Sequence, residues 1–192
     1  MEEAMKPTGG AQMSTAHTNI LGTPRLLLRR QVRTDLDRLW ELYCDPEVTQ
    51  YIPDAPKSRE EAREELEWHM NGHPRHPELG LWATILKENG QFIGRSGLLP
   101  LTIDGRDEVE VAYTIARAYW GRGLGTEVAA AILRYGFETL GLKRLICLID
   151  PQNTASQKVA EKIGMRLERR VDGIDGDNIP TLIYAAASPQ GK

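Results

Sequence analysis

The segment Trp120-Gly121-Arg122-Gly123-Leu124-Gly125-Thr126 sets three glycines on alternate positions. The chemistry this spacing suits is the holding of a phosphate. An apolar strand pattern over residues 109–115 leads into the segment, and a long helical pattern over residues 126–140 follows it. Glycine has no side chain to keep a ligand off the backbone and reaches conformations closed to other residues. The first amides of a helix have no partners within it, and the helix dipole adds partial positive charge there. Together these features form a cradle for a phosphate or pyrophosphate. A tight strand-to-helix connection uses glycines in the same way, so the rest of the chain must separate the two readings. Two well-known phosphate loops do not fit. A P-loop places Lys and then Ser or Thr after its last glycine; here Thr126 and Glu127 follow. A dinucleotide fingerprint spaces its glycines Gly-x-Gly-x-x-Gly in an early βαβ unit. Here the spacing is Gly-x-Gly-x-Gly, late in the chain, although Asp150 after the next strand could imitate the ribose-binding acid.

Composition excludes other classes. The chain has 192 residues, which suits one domain, with 41% hydrophobic and 27% charged residues. A net charge of −3 offers no basic field for nucleic acid. No apolar run approaches the roughly 20 residues of a membrane span. The first 19 residues lack the basic start and apolar stretch of a secretory signal. Cys44 and Cys147 make no disulfide framework, and Cys147 reads as a small buried hydrophobe. A reducing cytoplasm fits this usage. His73 and His76 lie three apart, but prolines flank both and no Cys or carboxylate pair accompanies them. A solvated loop is expected there, and no metal site is expected anywhere.

The elements that must position the loop follow from patterning. Residues 1–22 are expected to lack structure, with Met13 an alternative start; residues 23–187 are expected to form one domain, and 188–192 a tail. A first strand spans residues 25–30. Asp35 caps a helix to about Tyr43, and Asp45-Pro46 ends it. Ser58 with Glu61 forms a capping box for a second helix. Residues 81–86 and 92–99 form a hairpin around Asn89-Gly90. Strand 109–115, the glycine loop and the long helix come next, then strand 144–149. A helix over residues 153–163 stops at Gly164, and two strands, 166–171 and 180–186, complete the order. The fold expected is α+β: a mixed, mostly antiparallel sheet of about seven strands with four helices. Strands 109–115 and 144–149 should be parallel neighbors joined by a right-handed crossover.

The loop Trp120-x-x-Gly123-x-Gly125 resembles the Q/R-x-x-G-x-G/A acetyl-CoA loop of the GNAT acyltransferase superfamily, with Trp120 in place of Gln or Arg. That replacement is similar to the branch containing the ribosomal-protein N-terminal (alanine) acetyltransferases, where Tyr-Trp-Gly precedes the loop. Thr23-Pro24-Arg25-Leu26-Leu27-Leu28-Arg29 resembles that branch's opening strand, and Glu110-Val111-Ala112-Tyr113-Thr114-Ile115 its fourth. Asn153-Thr154-Ala155-Ser156 and Glu161-Lys162-Ile163-Gly164-Met165 resemble its last helix. These pieces run in family order over about residues 23–184.

The resemblance implies that the two parallel strands splay apart and admit the pantetheine arm of acetyl-CoA as a co-substrate. Tyr113, Thr114 and Ile115 would offer it backbone groups, in the manner of an added strand. Gly121, Arg122, Gly123, Leu124, Gly125 and Thr126 would meet the pyrophosphate, Arg122 either as a mobile cation or as a plain surface residue. Asn153 would cap the last helix and bond the arm. The implied reaction is transfer of an acetyl group to a primary amine, a protein N-terminus or a small amine, by direct attack. The amine must be neutral to attack, and the departing thiolate benefits from a proton. Glu110 is the candidate base, unless it simply faces outward; Glu108 points to the same sheet face and stands second. Ser156 is the candidate proton donor, unless it only supports the helix start. Many relatives use a tyrosine in the last helix, and none lies between Asn153 and Ile163.

The acceptor wall should include acids: Glu47 and Asp54 in one loop, and Asp172, Asp175 and Asp177 in another. They are either a steering field for a cationic acceptor or ordinary acidic surface. Two other functions remain open: a non-catalytic acyl-CoA-binding or sensing domain, and a nucleotide-binding enzyme of another fold. A monomer or homodimer is expected, with no nucleic-acid or membrane partner.

Overall fold

A short edge strand, β1 (Asn19–Gly22), pairs antiparallel with β2 (Leu26–Arg29). It falls inside the segment expected to lack structure. Ile20 and Leu21 pack against the main core, so the last residues of a polar segment are drawn into the sheet. The computed structural model describes residues 18–174 and 178–189; Asp175 and Asp177 lie outside the described residues.

The connection from β2 to α1 (Leu36–Tyr43) is held by a buried ion pair. Both terminal nitrogens of Arg29 donate to Asp35 at 2.7 Å, and Asp35 also accepts from the Val32 amide at 2.9 Å. Asp45 caps the single turn of α2 (Pro46–Thr49) by accepting from the Glu47 amide at 3.0 Å. The hydroxyl of Ser58 caps α3 (Arg59–Met70) by accepting from the Glu61 amide at 3.1 Å. The returning bond expected of a capping box goes one residue further back, from the Lys57 amide to the Glu61 carboxylate.

Strands β3 (Gly80–Leu86) and β4 (Gln91–Ile103) form the expected hairpin, closed where Leu86 faces Gln91. Strand β4 runs on to Ile103 because Asp104-Gly105 makes a two-residue turn into β5 (Arg106–Ile115). Their φ values of 51° and 74° are those of the primed turn this dipeptide favors. The glycine loop then leads into α4 (Leu124–Glu138), followed by β6 (Arg144–Ile149), α5 (Thr154–Lys162), β7 (Arg166–Asp172) and β8 (Pro180–Ala187).

The strands form one sheet in the order β1-β2-β3-β4-β5-β6-β8-β7, antiparallel throughout except for β5 with β6. This is the expected α+β fold with one strand and one helix more, β1 and α2, giving eight strands and five α-helices among the described residues. Helices α4 and α5 cover one face, over a core that includes Trp82, Leu98, Val111, Val128, Ile132 and Leu145. Helices α1 to α3 cover part of the other face, over Leu39, Leu42, Val48, Ala62 and Leu66. No described helix is long and apolar enough to cross a membrane.

Backbones crowd most closely where β3 meets β4. A β-carbon on Gly97 would lie 1.9 Å from the Gly80 carbonyl oxygen. Neither strand can retreat, since each is also paired on its other side. Gly97→Ala is therefore expected to destabilize the fold by about 1–3 kcal/mol or more, read as a lowered urea midpoint. An unchanged midpoint would show that the sheet gives more readily than its pairing implies.

Candidate active site

The parallel pair is where the sheet comes apart. Strand β5 stays in register with β4 over its whole length, from Gly94↔Ile115 to Ile103↔Arg106. Strand β6 does the same with β8. Between them the ladder holds at Glu110↔Ile146 alone. Two side chains take over where the ladder fails. The Leu148 backbone donates to the Glu110 carboxylate. The Cys147 thiol donates to the Val111 carbonyl at 3.2 Å. Beyond them the strands diverge, toward the end of β5 that leads into the glycine loop.

Period-two alternation puts Glu110, Ala112 and Thr114 on the face of α1 to α3, and Val111 and Tyr113 on the face of α4 and α5. Burial pushes the Glu110 carboxyl up to about 7; the Leu148 hydrogen bond and the charge of Arg95 oppose this, and Asp54 adds to it. A carboxyl poised there takes up a proton near neutral pH, as a general base requires. Arg95 is itself buried, 3.4 Å from Glu65, with its guanidinium over the Tyr43 ring at 5.3 Å. Tyr43 donates to Glu65 at 2.6 Å and completes the cluster. None of Arg95, Glu65 and Tyr43 was a candidate from the sequence. Arg95 carried a signal, as the lone charge within an apolar strand. Glu108 is committed elsewhere: Arg144 binds it at 3.0 Å and also grips Glu168.

On the opposite face, the Asn153 side chain caps α5 by accepting from the Ser156 amide at 3.0 Å. The Ser156 hydroxyl faces the hydroxyl of Tyr113, which is sealed from solvent and makes no well-formed hydrogen bond among the described residues. The Tyr113 ring lies about where a β-carbon on Gly125 would touch it, at 3.6 Å. Glu110 and Ser156 thus flank the opening from opposite faces of the sheet rather than touching each other.

The glycine loop has the backbone its spacing called for. Gly121 and Gly123 adopt φ values of 73° and 75°, and Gly123 caps α4 with no side-chain bond. The amides of Leu124, Gly125 and Thr126, at the start of α4, have no partners within the helix. Trp120 donates its indole N–H to the Ile115 carbonyl at 2.6 Å. That carbonyl therefore already accepts one hydrogen bond from within the loop. The bond shows what Trp120 does in this loop. Arg122 leans over the Tyr119 ring at 5.7 Å, with Glu88 at 3.7 Å. The loop glycines without side chains, the free amides and the divergent strands fit a phosphorylated, extended thioester such as acetyl-CoA.

Two of the acids singled out for the acceptor wall are ion-paired. Glu47 pairs with Arg117 at 3.2 Å and Asp172 with Arg170 at 3.3 Å, while Asp54 makes no ion pair among the described residues. Asp150 accepts from the Gln152 amide at 2.6 Å and shapes the turn into α5 instead of awaiting a ribose. His73 and His76 stack 5.7 Å apart on the surface, and no metal-binding group of three occurs among the described residues.

An opened parallel pair beside a glycine cradle suits a domain that binds an acyl-CoA. Residues 25–166 match the family described as the acetyltransferase (GNAT) domain, and the chain belongs to that family. It is 35% identical over 152 residues to the YkkB protein of Bacillus subtilis, covering 79% of this chain and 87% of that protein. A GNAT-family acetyltransferase of Bacillus anthracis superposes with a TM-score of 0.75 at 28% identity, covering 87% of this chain and 97% of that one. RimL, a ribosomal L7/L12 α-N-protein acetyltransferase solved with coenzyme A, shares the fold with a TM-score of 0.72 at 16% identity, covering 88% and 97%. The co-substrate of the family is acetyl-CoA.

The raised Glu110 pKa has a thermodynamic consequence. The folded chain holds this proton up to about pH 7, whereas the unfolded chain releases it near the ordinary value of about 4.3. Stability contributed by the protonated form therefore declines as pH rises through that window. Glu110→Gln cannot ionize and should lose this component. Urea midpoints at pH 5 and pH 8 should be closer together in the variant than in the wild type. Equal pH dependence in both would show that Glu110 titrates as an exposed carboxylate.

Proposed function

We propose that the chain transfers an acetyl group from acetyl-CoA to a primary amine, with Glu110 as the general base. The observation that carries this reading is the Glu110 carboxyl, poised near 7 at the last ladder contact before the strands separate. Bound acetyl-CoA supplies an activated acyl group, so the protein's own contribution is alignment and proton movement. The amides of Leu124, Gly125 and Thr126 hold the pyrophosphate, and the Tyr113 and Thr114 backbone aligns the arm. Glu110 takes a proton from the acceptor ammonium, directly or through one water. Ser156 keeps a proton at Oγ for the sulfur as it leaves, and the start of α5 favors negative charge there.

The acceptor approaches on the Glu110 face, where Asp54 is an acid without an ion pair among the described residues. A cationic amine suits that environment, whether a small molecule or a protein N-terminus. Removing the Asp54 charge should raise KM for the amine more than for acetyl-CoA.

Release of free thiol from acetyl-CoA, with amines and short peptides supplied, tests the reaction. kcat/KM should rise with pH around a midpoint near 7, because the base works only when deprotonated. Glu110→Gln should lower turnover by roughly 10²- to 10⁴-fold, with a deficit that narrows at high pH. Acetyl-CoA binding without turnover of any amine would point instead to a sensing domain.

Ser156→Ala separates two roles. As a proton donor its loss lowers turnover while acetyl-CoA binding persists. If the hydroxyl has no part in the chemistry, its loss leaves turnover per folded molecule intact, since the Asn153 cap binds the Ser156 backbone amide, which Ala retains. The second outcome would leave water as the proton source.

A further inference from the structure

The opening strand carries a residue that the chemistry above does not use. Arg25 stands just before β2, about a hundred positions from the glycine loop, yet it spans that loop. Its Nε donates to Glu127 Oε2 at 2.6 Å, and its backbone amide donates to Glu127 Oε1 at 2.9 Å. Its NH1 donates to the Arg122 carbonyl at 2.9 Å. Thr23 adds a hydrogen bond from its hydroxyl to Glu127 Oε1. The Thr23 hydroxyl also accepts from the Leu26 amide at 2.8 Å, which ties the arrangement to the start of β2. Glu127 is in the first turn of α4, and Arg122 precedes its capping glycine. One guanidinium therefore grips the loop on both sides of the point where it becomes helix.

That grip meets a need. Gly123 provides no side-chain cap, and left-handed glycine is the most mobile backbone a loop can contain. The amides of residues 124–126 serve an anion only if they are aimed before it arrives. The remaining guanidinium nitrogen lies 3.7 Å from where a Gly123 β-carbon would stand, so Arg25 backs the glycine directly. The bonds from Thr23 and Arg25 hold the Glu127 carboxyl below the usual carboxylate range in spite of its burial. Glu127 thus stays charged and turned back toward β2, out of the cradle.

We propose that Arg25 is a positioning residue for co-substrate binding, presetting the glycine-loop amides for the pyrophosphate through its forked contact with Glu127 and the Arg122 carbonyl. This rests on the reading that the loop holds the pyrophosphate.

Two probes isolate the effect: acetyl-CoA, and S-acetylpantetheine, which has the thioester arm but no pyrophosphate. Binding of each is measured by calorimetry on the full chain. Arg25→Gln should weaken acetyl-CoA by about tenfold or more, as expected for losing charge-assisted hydrogen bonds. S-acetylpantetheine affinity should stay within about twofold, since its contacts lie along β5. Arg25→Lys should behave like Arg25→Gln, because a single ammonium cannot fork. Thr23→Val retains both charges but loosens Glu127, and should show the same split in milder form. It also guards against misfolding of the Arg25 variants.

Unchanged acetyl-CoA binding in Arg25→Gln would overturn the proposal. Equal weakening of both probes would do so too, by showing general damage. Restoration by Lys would replace positioning with simple charge attraction. A wild-type chain that binds S-acetylpantetheine as tightly as acetyl-CoA would refute the reading of the loop itself, and the proposal with it.

Discussion

The divergence of β5 from β6 is the constraint on which the rest of the molecule depends. Opening a sheet exposes a row of backbone donors and acceptors, and unpaired groups of this kind are costly when buried. The chain contains the damage to one seam. Strand β5 keeps all its pairing with β4, and β6 keeps its pairing with β8, so each loses partners on one side only. At the near end of the seam, Glu110 and Cys147 replace ladder bonds with side-chain bonds to Leu148 and Val111. At the far end the Trp120 indole closes the Ile115 carbonyl. The gap is bounded at both ends, and what lies between is left for a strand-like guest.

The same seam explains the charge distribution. Glu110 loses water because it sits at the closed end of the gap, and this raises its proton affinity. Arg95 prevents the shift from running further, yet it cannot approach Glu110 as a free cation. Glu65 and the Tyr43 ring hold it from the α1 and α3 side. The proton affinity of Glu110 is thus set by a balance between burial and a cation that is itself partly neutralized. Helices α1 and α3, which contribute nothing to the glycine loop, are in this way coupled to Glu110.

What could be read in the sequence was local. The alternate glycines of the loop marked a strand-to-helix cradle, Asn153 read as a helix cap, and Glu110 stood out as an acid in an apolar strand. Asp104-Gly105 is an equally local turn signal, and it extends β4 and β5 past the bounds that patterning gives. The strand at Asn19–Gly22 was hidden because its polarity is that of a tail, and only pairing with β2 and packing of Ile20 and Leu21 bring it into the sheet. The commitments of individual charges were also out of reach. Glu108 is taken by Arg144, Glu47 by Arg117, and Glu127 by Arg25. Each of these pairs joins residues tens of positions apart, and nothing in the spacing of either partner announces the other. The sequence therefore indicated where acids were, and the fold decided which of them remain free to act.

In the proposed reaction Glu110 and Ser156 reach the seam from opposite faces of the sheet, and this has a consequence for traffic. A guest lying in the seam is open to Glu110 from one side and to Ser156 from the other. The acceptor can then arrive, react and depart through its own doorway while the thiol carrier still fills the slot. Neither molecule needs to vacate for the other, so the two reactants can meet as a ternary complex. No acetylated enzyme is required between two half-reactions. The sheet then serves as a partition with one slot.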